Sequence, residues 1–429
     1  LQHVHGIRAN IGQFSQQLLQ VFFVGLTIGL QRNVIPALAE QEFGVPAGSF
    51  ALLTAFIVSF GFVKGTLNFV AGRLSDRLGR RKLLLWGWAA ALPIPFMILY
   101  APSWNWIVAA NVLLGVNQGF AWSMTVTSKI DITRAEERGL ATGFNEFAGY
   151  SGVAVAGIVT GYLAADFDPR MSLFVFGLTV AVVALVVAYF FVQETLPWAH
   201  AEAANRQSAG AANPRGIPED FPERPTMGQI FALVSFRHRT FAALSQAGCV
   251  EKFVDALVWA FFPVFLVSRG LDVVEIGWVV GVYGLVWGGS QLWTGPLSDR
   301  IGRKIPIVAG MWICGAGIAA TLLGDAVWYW TLTAAVSGVG MALLYPTLIA
   351  AVGDISHPVW RGSSLGVYRF WRDLGYGIGA LLIGAIAQVS GSVEAGFWFT
   401  AGAMGLSGLW VLVAAEETHP RLAPARAEP

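Results

Sequence analysis

Two stretches, GRLSDRLGRR at 72–81 and GPLSDRIGRK at 295–304, repeat nearly the same charged string in a chain of 429 residues that is 55% apolar. They lie 295 − 72 = 223 positions apart. The same shift pairs Asp131-Ile132 with Asp354-Ile355, Arg138-Gly139 with Arg361-Gly362, Gly143 with Gly366 and Gly152 with Gly375. It also carries ETLP at 194–197 onto ETHP at 417–420. A chance match does not hold its register from 72 to 197, so the chain is a duplicated unit.

The rest of the composition says what the unit is made of. Charged residues make up 12%, about half the share of roughly 25% in a soluble domain, and mean hydropathy is +0.60. Apolar runs such as 174–192 and 305–323 reach the ~20 residues that cross a hydrocarbon core about 30 Å thick. Many such runs without period-two alternation predict an all-α membrane protein, because lipid obliges each segment to satisfy its own backbone. We read twelve spans, at 16–38, 48–70, 83–101, 105–128, 138–164, 171–192, 240–267, 275–296, 305–323, 327–350, 362–388 and 394–414. Between the sixth and seventh lies a polar stretch rich in Ala, Pro and charge, read as a flexible cytoplasmic linker. The expected organisation is a six-helix bundle at 1–193, the linker at 194–239 and a second bundle at 240–429.

Basic residues gather in the loops after spans 2, 4, 8 and 10: Arg73, Arg77, Arg80, Arg81 and Lys82, then Lys129, Arg134 and Arg138, then Arg300, Arg303 and Lys304, then Arg361. The positive-inside bias therefore places both termini and the linker in the cytoplasm of a plasma (inner) membrane. The first residues, LQHVHGIRAN, lack the form of a cleaved signal peptide, and a start at Leu1 rather than Met leads us to expect residues ahead of it. Cys249 and Cys314 fall inside apolar runs and read as inert thiols rather than a disulfide.

The paired loop, its repeat and the twelve-span layout resemble the major facilitator superfamily, whose signature between spans 2 and 3 is G-x-L-S-D-R-x-G-R-R/K. The resemblance covers the whole chain. It implies two six-helix bundles rocking about a central site, with the signature loops latching the cytoplasmic side. The gating residues carried over are Gly72, Asp76, Arg77, Gly79 and Arg80, and in the second copy Gly295, Asp299, Arg300, Gly302 and Arg303. Asp76 would meet the helix start near Gly362, and Asp299 the start near Gly139, each a carboxylate at a positive helix end. The bland alternative is that these charges only set orientation. Drug/proton antiporters of the superfamily carry R-x-x-Q-G in span 4, where this chain reads GVNQG at 115–119, and a G-P-x-x-G-G pattern in span 5. Here span 5 has Gly149, Gly152, Gly157 and Gly161 for close packing but no proline.

Charges inside spans cost roughly 2.5–3.5 kcal/mol on insertion scales and so face a cavity or a partner. Span 7 holds Glu251, Lys252 and Asp255 at helical spacing, either a solute and proton site or a structural salt bridge. Span 11 holds Arg369, Arg372 and Asp373; a pairing of Arg369 with Asp373 would leave Arg372 seeking an anion. Lys64 in span 2 is expected to meet Asp373, as a switching or a static tie. Glu146 in span 5 is the repeat partner of Arg369, since 146 + 223 = 369. Arg32 either snorkels to the interface or reaches into the cavity. Asn117, Gln118 and Trp122 on span 4 and Tyr345 on span 10 read as polar or stacking contacts, with helix packing as the alternative.

No histidine lies within a span, so any coupled proton falls to a carboxylate: Asp255, Glu251 or Glu146. The slight cationic surplus among the intramembrane charges favours an anionic or zwitterionic solute. The expected function is secondary active transport of a small polar solute by a monomer, with no cofactor, no metal, no nucleic-acid partner and no enzymatic activity. The alternatives are a proton antiporter of amphipathic or cationic compounds, and a non-transporting receptor or assembly factor.

Overall fold

In the computed structural model, residues 3–32, 35, 38, 42–44, 50–208, 217–218 and 221–422 are described, without the side chains at 31, 32, 50–57, 165 and 273. Every regular element among them is helical. The first six spans are α1 (Ile11–Arg32), α2 (Phe50–Leu78), α3 (Arg80–Ala91) continued by α4 (Pro93–Leu99), α5 (Trp104–Ile132), α6 (Arg138–Asp166) and α7 (Pro169–Phe191). Then come α8 (Leu196–Ser208) and the short α9 (Met227–Ala232). The last six are α10 (Arg239–Ala256) continued by α11 (Phe262–Ser268), α12 (Val273–Ile301), α13 (Lys304–Thr321), α14 (Val327–Ile355), α15 (Arg361–Ser390) and α16 (Glu394–Ala414).

Eight of these spans are long and apolar enough to cross a membrane by length and composition. That holds among the described residues: α1, α2 and α12 each include side chains outside them, and the seventh span is divided between α10 and α11. Five glutamines sit in α1, at Gln13, Gln16, Gln17, Gln20 and Gln31, and the charged trio sits in α10. Outward faces are apolar: Phe190, Leu285, Trp293 and Leu406 are each 70–79% exposed, the inverse of a soluble surface and fit for lipid.

Three expectations need correction. The signature is not a loop. Helix α2 runs through Leu78 and breaks only at Gly79, where φ is +96°, before α3 begins at Arg80; α12 breaks the same way at Gly302, also φ +96°. Only glycine adopts that backbone without strain, so the second glycine of each motif is the break between two helices. Nor is the linker merely a spacer, because α8 folds within it. Lys129 also leaves the basic loop: it lies inside α5, 1% exposed, and its Nζ donates to Gln17 O at 2.9 Å and Thr125 O at 3.1 Å.

The two halves meet through two repeat-related pairs, α2 along α15 and α12 along α6. Small residues set the approach. A Cβ on Gly72 would run into Gly362 O and Gly366 Cα, and one on Gly295 into Gly139 O and Gly143 Cα. Within span 5, Gly149 and Gly152 press on α1, while Gly161 meets nothing. Cys314 is buried, Cys249 half-buried, and neither is in a disulfide.

Span 7 is the irregular one. Five residues of π-helix, Leu257–Phe261, separate α10 from α11, just after Asp255 and just before Pro263, which lacks the N–H to continue an α-helical ladder. Such π-bulges recur at functional sites.

Candidate functional site

On the face bearing the two motifs, each aspartate caps a helix of the opposite half. Asp76 accepts from Gly362 N at 3.0 Å and Ser363 N at 2.7 Å, at the start of α15. Asp299 accepts from Gly139 N at 2.8 Å and Leu140 N at 2.7 Å, at the start of α6. First-turn amides have no acceptor within their own helix, and the macrodipole adds to the attraction. Arg80 and Arg303 hold the capping carboxylates at 2.9 and 2.7 Å. Arg77 and Arg300 are exposed.

Behind each latch is a buried Arg–Asp–Arg bridge. Asp131 joins Arg80 (3.0 Å) to Arg361 (3.1 Å), and Asp354 joins Arg303 (3.0 Å) to Arg138 (3.1 Å). Each therefore ties the two halves together. The repeated ET string has a role too. Glu194 accepts from the amides of Arg80 (2.8 Å) and Arg81 (3.1 Å), and Glu417 from those of Arg303 (2.8 Å) and Lys304 (3.0 Å). These carboxylates cap α3 and α13 and fill the space a side chain on Gly79 or Gly302 would need. On the seam, Glu202 of α8 meets Arg138 at 3.0 Å, Arg361 at 2.6 Å and Arg206 at 2.6 Å. Burial pushes its carboxyl pKa up, but Arg361, Arg138 and Arg206 together hold it well below the usual range. The N-terminal segment packs over α8, with His5 Nε2 3.1 Å from Trp198 O.

In mid-span, α10, α12, α14 and α15 bring a second charge cluster together. Lys252 Nζ lies 2.9 Å from Glu251 Oε1 and 2.7 Å from Asp255 Oδ2, and all three are fully buried. Tyr283 donates to Asp255 at 3.3 Å. The ammonium also sits 4.1 Å from the Tyr345 ring centre, 5.1 Å from that of Tyr376 and 5.5 Å from that of Trp287, positions in which cation–π attraction is favourable. Tyr150 of α6 closes the aromatic wall, 4.2 Å from Trp287 and 6.2 Å from Tyr345.

Next to it, Asp373 takes Arg372 Nε at 3.1 Å and has Lys64 Nζ at 3.8 Å and Asn68 Nδ2 at 2.5 Å. The expected pairing of Arg369 with Asp373 does not form, because Arg372 and Lys64 occupy that carboxylate. Arg369 is 1% exposed, and none of its three guanidinium nitrogens has a hydrogen-bond partner among the described residues. Arg372 Nη1 also lacks one, and its guanidinium lies 5.0 Å from the Tyr345 ring centre. Glu146 accepts on Oε1 from Trp122 (3.1 Å) and Asn145 (2.8 Å), while Oε2 is unpartnered.

Asn117 and Gln118 bond elsewhere: Asn117 Nδ2 to Gly87 O at 2.9 Å, Gln118 Nε2 to Val24 O at 3.2 Å and Thr27 Oγ1 at 3.1 Å. Arg32 ends α1, and its side chain lies outside the described residues. Residues that sequence reasoning passed over are Glu202, Tyr150, Tyr283, Trp287 and Tyr376. Glu194 and Glu417 had a signal, their place in the repeat; Glu202 has no repeat partner and had none.

The family model of the Major Facilitator Superfamily matches residues 18–254 and 244–429. The chain belongs to the major facilitator superfamily. Membership in this transporter family fits the paired latches and the buried charges. An uncharacterized MFS-type transporter of Salmonella typhimurium is 22% identical over 380 residues, 86% of this chain and 88% of that one. Multidrug resistance protein MdtH of Yersinia pestis is 34% identical over 153 residues, 33% of this chain and 38% of its own length. Among solved structures, the human organic anion transporter MFSD10 has a TM-score of 0.77 at 16% identity, with 94% of this chain and 99% of that one covered. The proton:xylose symporter XylE has a TM-score of 0.72 at 16% identity, with 95% and 97% covered. At these identities the two structures speak for the fold.

Proposed function

We propose that this major facilitator is a secondary active transporter of a small anionic solute, working as a monomer in the inner membrane. In this reading residues 1–193 and 240–429 rock against each other about the linker at 194–239, and the latch face is cytoplasmic. One observation carries the anionic reading. Arg369 keeps a whole guanidinium buried without a hydrogen bond, and Arg372 keeps one nitrogen so. An unsatisfied buried donor costs about 1–3 kcal/mol, more when charged, so an arriving anion replaces a penalty with charge-assisted, bidentate bonds.

Arg369, Arg372, Lys252 and Tyr345 receive the solute; Asp255, Glu251 and Glu146 are the groups available to a coupled proton. Asn117 and Gln118 anchor α5 to α1 and α3 in this scheme. That a fold neighbour is an organic anion transporter agrees with it. The second reading, export of lipophilic cations, draws on the free Oε2 of Glu146 and on the MdtH match. Melting the detergent-purified protein against organic anions and lipophilic cations separates the two. Ligand at about a hundred times its Kd stabilises by about 2.7 kcal/mol. A shift with anions that disappears in Arg372→Ala supports the proposal; a shift with the cations alone rejects it.

A further inference from the structure

Glu146 and Arg369 occupy equivalent positions of the repeat, 146 + 223 = 369, on α6 and α15. Both are within 1% of full burial. Each is in electrostatic range of the other, and Tyr345 is in range of both. Yet no ion pair joins them among the described residues, and each keeps unused bonding capacity: three nitrogens on Arg369, Oε2 on Glu146. The neighbouring charges do not serve either. Asp373 is held by Arg372 and Lys64, Lys252 by Glu251 and Asp255, and Lys129 donates to backbone carbonyls. Two opposite charges that gain by meeting, kept apart with open valences, describe the two ends of a bound molecule.

We infer that the solute is a carboxylate with a hydrogen-bond donor on the adjacent carbon, an α-hydroxy or α-amino acid, held between Arg369 and Glu146. This rests on the anion-transport reading above and narrows it. The planar fork of Arg369 matches a carboxylate, and Glu146 Oε2 requires a hydroxyl or ammonium. Sulfate brings only further negative charge beside Glu146, and a lipophilic cation offers Arg369 nothing. Trp287 supplies one more unpartnered donor at Nε1 and, with Tyr150 and Tyr345, an aromatic wall for an apolar remainder.

The test is a matched set measured on the intact protein by calorimetry: phenylacetate, mandelate and phenylglycine, with propionate, lactate and alanine beside them. Within each series only the α-substituent changes. The hydroxyl and amino members are expected to bind at least about tenfold tighter than the parent acid, since a site built for a donor rejects the analogue without it. In Glu146→Leu the members of a series should converge to within about threefold, and Arg369→Ala should bind none. Wild-type protein that binds carboxylates without preference overturns this inference and leaves the anionic reading standing. Wild-type protein that binds no carboxylate overturns both. The wild-type comparison depends on no variant folding.

Discussion

Arg138 and Arg361, 361 − 138 = 223 positions apart, both donate to one carboxylate, that of Glu202, at 3.0 and 2.6 Å. The pseudo-symmetry that relates the two latches ends on a single acid from the linker helix that has no copy in the repeat. Parting the halves on this side must separate the two arginines, and Glu202 opposes that. Without it three guanidiniums, Arg138, Arg206 and Arg361, crowd one seam.

Glu202→Gln should therefore loosen the closed latch. The change keeps the side chain's volume but removes the charge; breaking a buried pair costs about 3–5 kcal/mol, and the 14% exposure of the Glu202 side chain puts the effect toward the lower end. Alkylation of a cysteine introduced at Thr142, a buried position one turn inside the latch, reads the opening. Faster labelling than in the Thr142→Cys parent is the expected result; an unchanged rate would show that α8 does not restrain the halves.

The same seam predicts a pH response. Burial, then Arg206 and Arg361, lower the pKa of His357 to about 4, and its Nδ1 accepts from Val359 N at 3.3 Å, as a neutral ring does. His5 and His419 are lowered too, mainly by burial. A lowered base binds its proton less readily folded than unfolded, so stability is full above pH 6.5 and declines as pH falls toward 4. Glu202, held well below its usual range, stays ionised over that interval. Melting temperature should fall between pH 6.5 and 4, and His357→Asn, which keeps a short acceptor, should flatten part of the slope. Equal slopes in the two proteins would remove His357 from the account.

Gly79 and Gly302 offer a local test of the helix breaks. Their φ of +96° disfavours any side chain, at about 1–3 kcal/mol, and a Cβ would also displace Glu194 or Glu417. Gly79→Ala should lower the melting temperature in detergent. Combined with Glu194→Ala, the loss should be less than the sum, because both changes remove one cap. Full additivity would mean that the break and the cap act independently.

Much of this was legible in the sequence because duplication writes every position twice. The span order lies in the apolar runs and the duplication in the shift of 223, while the two latches and the glycine contacts are what the motif's resemblance to the superfamily signature implies. Where a feature has no copy, the sequence is mute. Glu202 lies in a polar, alanine-rich stretch that reads as linker, and only the arginines converging on it show its place. Composition placed Lys129 in a basic loop; helix α5 in fact continues past it and carries the ammonium to carbonyls of α1 and its own turn. Of the central charges, the Lys252 trio and the approach of Lys64 to Asp373 were legible, but the partner of Arg372 was not. Helical spacing allowed Arg369 to reach Asp373 four residues on, whereas packing of α2 against α15 gave that carboxylate to Lys64 and Arg372. The aromatic wall comes from α6, α12, α14 and α15, and no local pattern marks four helices as neighbours.

The trio in α10 gives the test of proton coupling. Lys252 is held between two carboxylates, 2.9 Å from Glu251 and 2.7 Å from Asp255, and Asp255 alone has the Tyr283 hydroxyl as a further donor. Asp255→Asn leaves one cation against one anion, so the trio becomes neutral and the protein should remain folded. Lys252→Met leaves two carboxylates one turn apart without a counter-charge and should cost about 3–5 kcal/mol. If Asp255 takes the proton, its asparagine variant in proteoliposomes should exchange labelled solute across the membrane yet show no solute-driven pH change inside. Undiminished proton movement in that variant would pass the role to Glu251 or Glu146, and Glu146→Gln separates those two: in the proposed binding mode Glu146 also touches solute, so its loss should weaken binding and coupling together, while loss of Glu251 should spare binding.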